Sequence, residues 1–260
     1  MKSYKDIKVV ILAGGFGSRL DNITKILPKP LVTIGKQPII IHIMRIFINQ
    51  GINNFYLATG YKSQEFLKFF KRNRINSIKV NKFKTISEFK YKLDNRVCNI
   101  KLFNTGIHTM TGGRVKAVSK NIDDKLFLLT YGDGLANVNI NKLIKFHLNN
   151  KKLVTVTAVN PPARFGELNI KGSRVVSFSE KKPINKAWIN GGFFVINKKF
   201  INLIKDNKTI LERDPLEKLA KINQLSAYKH FGFWQCMDTR RDRDQLIRLV
   251  NKNKYPWLNI

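Results

Sequence analysis

Over the first 160 residues, short apolar runs rich in β-branched side chains alternate with segments of helical period, and few architectures accept that alternation. Lys8–Ala13 reads as a buried strand, Pro38–Gln50 as a helix with proline in its first turn and Gly51 as its stop, and Asn54–Thr59 as a second strand. Ser63–Arg72 follows as a helix, Ile100–Asn104 as a strand and Gly113–Lys120 as a helix. Leu126–Tyr131 is a strongly apolar strand, Asn141–Asn149 a helix and Val154–Val159 another strand. Strands separated by helices predict a doubly wound, mostly parallel α/β sheet. Beyond Pro161-Pro162 the strands shorten to Glu167–Ile170, Arg174–Phe178, Gly192–Ile196 and Leu225–His230, with helices over Lys198–Lys205, Pro215–Lys221 and Arg240–Asn251. That change predicts a mixed sheet in the second half. With 260 residues and no linker or repeat, the chain is expected to form one domain: a first half to residue 160, a second to 239, then a terminal helix and tail.

The first strand runs into Gly14-Gly15-Phe16-Gly17-Ser18-Arg19-Leu20, with Pro28-Lys29-Pro30 beyond. Two common phosphate loops are excluded by spacing. A P-loop needs Lys-Ser/Thr after its second glycine, and a dinucleotide loop needs a third glycine where Leu20 stands. What remains are backbone N–H groups exposed by glycine, a helix start, and the fixed charge of Arg19. The alternative is an ordinary βα turn with a surface arginine.

Ligands of open α/β sheets sit at the carboxyl ends of strands. After Leu126–Tyr131 comes Gly132-Asp133-Gly134, which suits either a Mg²⁺ ligand held close to backbone or a plain β-turn. Asp238, just before the last helix, is a second candidate ligand or an N-cap. Two carboxylates with a Gly/Arg/Lys cradle suggest Mg²⁺-dependent transfer of a nucleotidyl group.

Other features carry less. Lys+Arg 48 against Asp+Glu 17 gives a net charge of +31, which would favour a polyanionic partner, but the lysines are spread along the whole chain. The densest stretch, residues 68–101, reads as a solvated face or lysine-rich insertion, and no nucleic-acid partner is expected. Cys98 and Cys236 lack C-x-x-C spacing and are read as reduced, incidental thiols. His42, His108, His147 and His230 are scattered and predict no metal site. Trp188 and Trp234 border the ligand or belong to the core, and Ser18, without a nearby base, is a loop donor. No apolar run reaches the length of a membrane span or a signal-peptide core, so no membrane partner and a cytoplasmic location are expected.

Taken together, these residues resemble the sugar-1-phosphate nucleotidyltransferases, and among them the glucose-1-phosphate cytidylyltransferases. The general pattern is Leu12 to Leu20 with Pro28-Lys29-Pro30. More specific are Thr109-Met110-Thr111-Gly112-Gly113-Arg114, Tyr131-Gly132-Asp133-Gly134, Pro161 to Gly166, Ile189-Asn190-Gly191-Gly192-Phe193-Phe194, and Gly232 to Gln235 with Met237-Asp238-Thr239. The resemblance implies a Rossmann-like nucleotidyltransferase fold and nucleotide contacts from Leu12, Ala13, Gly14, Gly15, Phe16, Gly17, Ser18, Arg19, Lys29, Thr109, Arg114 and Gly132. It implies Mg²⁺ on Asp133 and Asp238, with Arg19, Lys29 and Asp133 catalytic. Glu180, Lys181, Asn190 and Gly191 match positions that face the sugar and its phosphate. One departure is that the usual Glu-Lys-Pro is Glu180-Lys181-Lys182-Pro183, which changes the backbone constraint on Lys181.

The reaction so implied is attack of a glucose 1-phosphate oxygen on the α-phosphorus of CTP, giving CDP-glucose and pyrophosphate. The resemblance further implies a homo-oligomer such as a hexamer, and a product that feeds deoxysugars of surface polysaccharides such as O-antigen. The rival readings are a thymidylyl- or uridylyltransferase, distinguished by what residues 109–114 accept, and a nucleotide-sugar binding module without catalysis.

Overall fold

The computed structural model describes residues 4–20, 22–76, 79–81, 85–161, 166–180 and 187–259, and the backbone alone of Arg19, Asn22, Ile23, Asn73 and Glu167. Its spine is a ten-stranded mixed sheet. Lys8–Ala13 lies at the centre, parallel to Asn54–Thr59 on one side and to Leu126–Tyr131 on the other. Arg96–Asn104 continues the parallel run beyond Asn54–Thr59. On the other flank Phe194–Asn197 is antiparallel to both Leu126–Tyr131 and Val154–Val159, and Leu225–His230 closes that flank parallel to Val154–Val159.

Alternation along the central strand sends its side chains into two cores. Val9, Ile11 and Ala13 join one cluster with Ile39–Ile48, Phe66, Phe70, Leu143 and Leu246. Val10 and Leu12 join the other, with Val115, Val118, Phe200, Leu216 and Leu219. Helices therefore cover both faces, the doubly wound arrangement expected of a strand that is apolar throughout.

Four expectations need correction. Residues 86–93, where no strand was expected, form one that pairs with Arg96–Asn104 across a turn at Asp94 (φ 54°). The period was present: Phe89, Tyr91 and Leu93 are buried while Glu88, Lys90 and Lys92 are exposed. Pro38 is not in the first turn of its helix but caps it, because Gln37–Pro38 still pairs with Thr33–Ile34 and the helix proper is Ile39–Ile48. Lys198–Leu203 is a 3₁₀ segment, not an α-helix. The helix expected at Gly113–Lys120 starts earlier, spanning Thr111–Ser119.

That early start has a cause in another part of the chain. Met110, the N-cap, has no capping side chain. The orphan N–H groups are met by the segment 206–212: Gly112 N donates to Thr209 O (3.0 Å), as does Gly113 N (3.3 Å), and Met110 N donates to Asn207 O (2.8 Å). A Cβ on Gly113 would stand 2.5 Å from Asn207 Cα and 2.6 Å from its carbonyl oxygen. Gly113→Ala is therefore expected to push this segment off the helix, costing about 1–3 kcal/mol by overpacking and lowering the midpoint of a thermal melt by about 2–10 °C.

Candidate active site

The chain leaves the central strand at Ala13 and turns over the sheet's carboxyl edge. Gly14 O accepts from Tyr61 N (3.1 Å), and Gly17, at φ 66°, accepts from Leu20 N and from the Thr24 hydroxyl (both 3.1 Å). The neighbouring strand end packs against this loop: Gly132 N donates to Leu12 O (3.0 Å), and a Cβ on Gly132 would meet that oxygen at 2.8 Å. Between loop and strand lies a cleft of about 380 Å³, lined by Leu12–Gly17, Lys29-Pro30, Ile107–Thr111, Arg114 and Tyr131–Asp133. Most of the expected nucleotide contacts thus share one cavity: Leu12, Ala13, Gly14, Gly15, Phe16, Gly17, Lys29, Thr109, Arg114 and Gly132. Ser18 sits in the short 3₁₀ turn after it, and the Arg19 side chain and Lys181 lie outside the described residues.

At the floor of the cleft, Lys29 Nζ donates to Asp133 Oδ2 at 2.6 Å and to Asp238 Oδ1 at 3.0 Å. Burial works against the charge on this ammonium, but Asp133 and then Asp238, by charge and hydrogen bonding, outweigh it and raise its pKa. The two carboxylates come from distant places. Asp133 follows Leu126–Tyr131, and its carbonyl accepts from Met237 N (2.8 Å), which ties the two acidic segments together. The N-cap of the last helix is Thr239, which forms a reciprocal capping box with Asp242, so that role does not fall to Asp238.

Asp133 and Asp238 converging on one cationic atom is a donor set that fits Mg²⁺. That ion takes one or two carboxylates and completes its shell with water and phosphate oxygens. Among the described residues no group of three or more His, Cys, Asp and Glu side chains could form an all-protein cage. The half-buried Cys236 is no nucleophile, since burial and then Asp133, Asp242 and Asp238 push its thiol up to about 11.

Arg114 is placed differently from a simple ligand contact. It is 4% exposed, and its Nη2 donates to Gly14 O (2.9 Å) and Ile107 O (3.2 Å), one from each wall of the cleft. Nη1 donates to Thr59 O (3.0 Å), Thr105 Oγ1 (2.6 Å) and Gly106 O (2.8 Å). Thr109, beside it, donates its hydroxyl to Thr105 O (2.6 Å).

Of the residues expected to face the sugar, Glu180, Asn190 and Gly191 do not line this cavity. Glu180 is exposed at the end of the Arg174–Ser179 strand. Gly191 N donates to Thr157 O (2.9 Å), and Trp234 Nε1 donates to Gly191 O (2.8 Å). Trp188, by contrast, is 37% exposed and lies under Lys229 Nζ, 5.4 Å from its ring. Asn190 reaches the cleft through Tyr131, its Nδ2 donating to the phenol oxygen (3.0 Å). Sequence reasoning missed two members of this arrangement, Tyr131 and Glu212. The Tyr131 hydroxyl donates to Glu212 Oε1 (2.7 Å), and burial, then the Glu212 charge, raises the phenol pKa. Adjacency to Gly132-Asp133 was a signal for Tyr131; nothing in the sequence marked Glu212.

The chain matches the family model described as nucleotidyl transferase over residues 8–234. It is 42% identical to the glucose-1-phosphate cytidylyltransferase of Salmonella typhimurium, over 96% of this chain and 98% of that protein. It is 29% identical to the D-glycero-α-D-manno-heptose 1-phosphate guanylyltransferase of Aneurinibacillus thermoaerophilus, over 87% and 89%. Among solved structures, HddC from Yersinia pseudotuberculosis superposes with a TM-score of 0.70 at 22% identity, covering 94% of this chain and 99% of that one. A glycine loop that is neither a P-loop nor a dinucleotide loop, a lysine held between two strand-end carboxylates and a doubly wound mixed sheet agree with these matches, and the chain belongs to the nucleotidyl transferase family.

Proposed function

We propose that this protein transfers CMP from CTP to α-D-glucose 1-phosphate, releasing pyrophosphate and forming CDP-glucose. The observation that carries the reading is that Lys29 and Asp133 line a glycine-rich cleft shared with residues 107–111, with Asp238 paired to Lys29. The 42% identity to a glucose-1-phosphate cytidylyltransferase over almost the full length of both chains supports the choice of nucleotide and sugar.

Both substrates are polyanions, so the chain's task is to hold them together and to stabilise charge on the departing pyrophosphate. The loop N–H groups from Gly14 to Gly17 receive phosphate oxygens, and Arg19 and Lys29 stabilise the β,γ side. Thr109 and Arg114 with Gly132 bound the nucleoside, and Ser18 donates from the loop. Glu180, Lys181, Asn190 and Gly191 receive the glucose 1-phosphate and orient the attacking oxygen. Asp133 and Asp238 would hold Mg²⁺, which would supply positive charge to offset that of the phosphates. No side-chain nucleophile is required. Among the described residues no helix is long and apolar enough to cross a membrane, and the reading places the enzyme in the cytoplasm as a homo-oligomer.

The test is pyrophosphate release by the purified protein with glucose 1-phosphate and Mg²⁺, comparing CTP, UTP, dTTP and ATP. Preference for CTP is the expected result. Preference for dTTP or UTP would keep the reaction and discard the nucleotide assignment, and no release with any nucleotide would overturn the enzymatic reading.

A further inference from the structure

The segment Asp206–Glu212 belongs to the second half of the chain yet is bound to the nucleotide side of the cleft. Besides the backbone bonds to residues 110, 112 and 113, Leu211 N donates to the Thr111 hydroxyl (2.9 Å), and that hydroxyl donates to Glu212 Oε2 (2.7 Å). The other oxygen of the same carboxylate accepts a hydrogen bond from the Tyr131 hydroxyl (2.7 Å). Tyr131 in turn accepts from Asn190 Nδ2, while Asn190 Oδ1 accepts from Gly192 N (2.9 Å). Every donor direction in this chain is determined. A carboxylate only accepts, so the phenol and the threonine hydroxyl must both point at Glu212, and the phenol's lone pair is left for the asparagine amide. Three parts of the proposed site therefore end on one side chain: the 109–114 wall through Thr111, the Asp133 strand end through Tyr131, and the sugar side through Asn190.

We infer that Glu212 is a positioning residue that couples the nucleotide and sugar-phosphate halves of the site, setting the distance between the two substrates while touching neither. This rests on the transferase reading above and extends it to a residue outside the cleft. Hydrogen bonds to a charged group in a partly dry environment are stronger than neutral ones, and networks of them act as units. The substitution Glu212→Ala frees Thr111, Tyr131 and Asn190 together. Glu212→Gln keeps an acceptor for the phenol and loses the charge.

The experiment measures kcat, KM for CTP and KM for glucose 1-phosphate in Glu212→Ala, Glu212→Gln, Tyr131→Phe and the Ala/Phe double variant. Each is accompanied by a thermal melt and a calorimetric titration with CTP. Glu212→Ala is expected to lower kcat/KM for both substrates by about 10- to 100-fold, and Glu212→Gln to recover part of that loss. Tyr131→Phe should add little in the double variant, because both changes break the same connection. A purely structural role would lower the melting midpoint and leave the constants of the folded enzyme unchanged. That result, a change confined to one substrate, or effects that multiply would overturn the coupling. If glucose 1-phosphate and CTP give no pyrophosphate with the unaltered chain, the transferase reading fails by itself. The CTP titrations still read the coupling, as a loss of about tenfold in affinity in Glu212→Ala that Glu212→Gln partly restores.

Discussion

Lys29→Ala is expected to lower turnover by about 10²–10³-fold, the usual consequence of removing one preorganised charge from a site that stabilises a developing anion. The same substitution should strengthen, not weaken, the binding of a divalent cation in the absence of nucleotide. Lys29 Nζ lies 2.6 Å from Asp133 and 3.0 Å from Asp238, so the ammonium engages the same carboxylates that are proposed to hold Mg²⁺. It leaves two carboxylates without their shared cation when removed, and such a pair either takes up a proton or binds a metal. Mn²⁺ titration followed by electron paramagnetic resonance separates the two roles. Lys29→Ala should show tighter Mn²⁺ binding with lost turnover, and Asp133→Asn should lose both. Lys29→Arg is not expected to rescue, because a planar fork cannot replace a point charge aimed at two oxygens. Near-normal turnover in Lys29→Ala would remove the lysine from the mechanism, and unchanged Mn²⁺ affinity would show that the ammonium does not compete for the carboxylates.

Much of this arrangement was legible in the sequence because its parts are local. Lys8–Ala13 and Leu126–Tyr131 are apolar at nearly every position, so their burial on both faces followed from composition alone. The loops that follow them carry glycines where backbone must approach closely, as Gly132 does against Leu12 O. The 86–93 strand was missed for a different reason. Its lysines dominate the composition, while its period of two, Phe89, Tyr91, Leu93, is what decides its structure. The ambiguity of Asp238 between ligand and N-cap could not be resolved by spacing, since Thr239 one residue later caps equally well and in fact does so. Glu212 is invisible to any local reading. It meets Thr111 101 positions away and Tyr131 81 positions away, and only the docking of residues 206–212 on the helix that begins at Thr111 brings the three together.

Arg114→Ala is expected to be the most destabilising single change in the cleft, at about 3–5 kcal/mol, combining a vacated buried volume with carbonyl groups that lose a charged donor. For a chain of this size that corresponds to a fall of about 6–20 °C in the thermal midpoint. The guanidinium lies between Gly14 and Gly60, where a Cβ on either would stand 2.3 Å from Nη1, and burial lowers its pKa. Among the described residues it donates to four carbonyl oxygens and one hydroxyl, so its charge is met by dipoles that also fix the loop. Sequence resemblance made Arg114 a nucleotide contact, whereas the geometry makes it in addition the tie between the two walls. The two roles predict different variants. Arg114→Lys keeps a charge near the cleft but cannot reach Gly14 O, Ile107 O and Thr59 O at once, since an ammonium lacks the rigid fork. If the tie dominates, Arg114→Lys loses most of the stability and raises the KM for CTP only as the loop loosens, and CTP added at saturation recovers part of the melting midpoint. If direct contact dominates, Arg114→Lys melts close to the unaltered protein while its KM for CTP rises sharply. The five bonds to protein oxygens favour the first outcome, because a guanidinium with that many protein acceptors has few N–H groups left for a ligand.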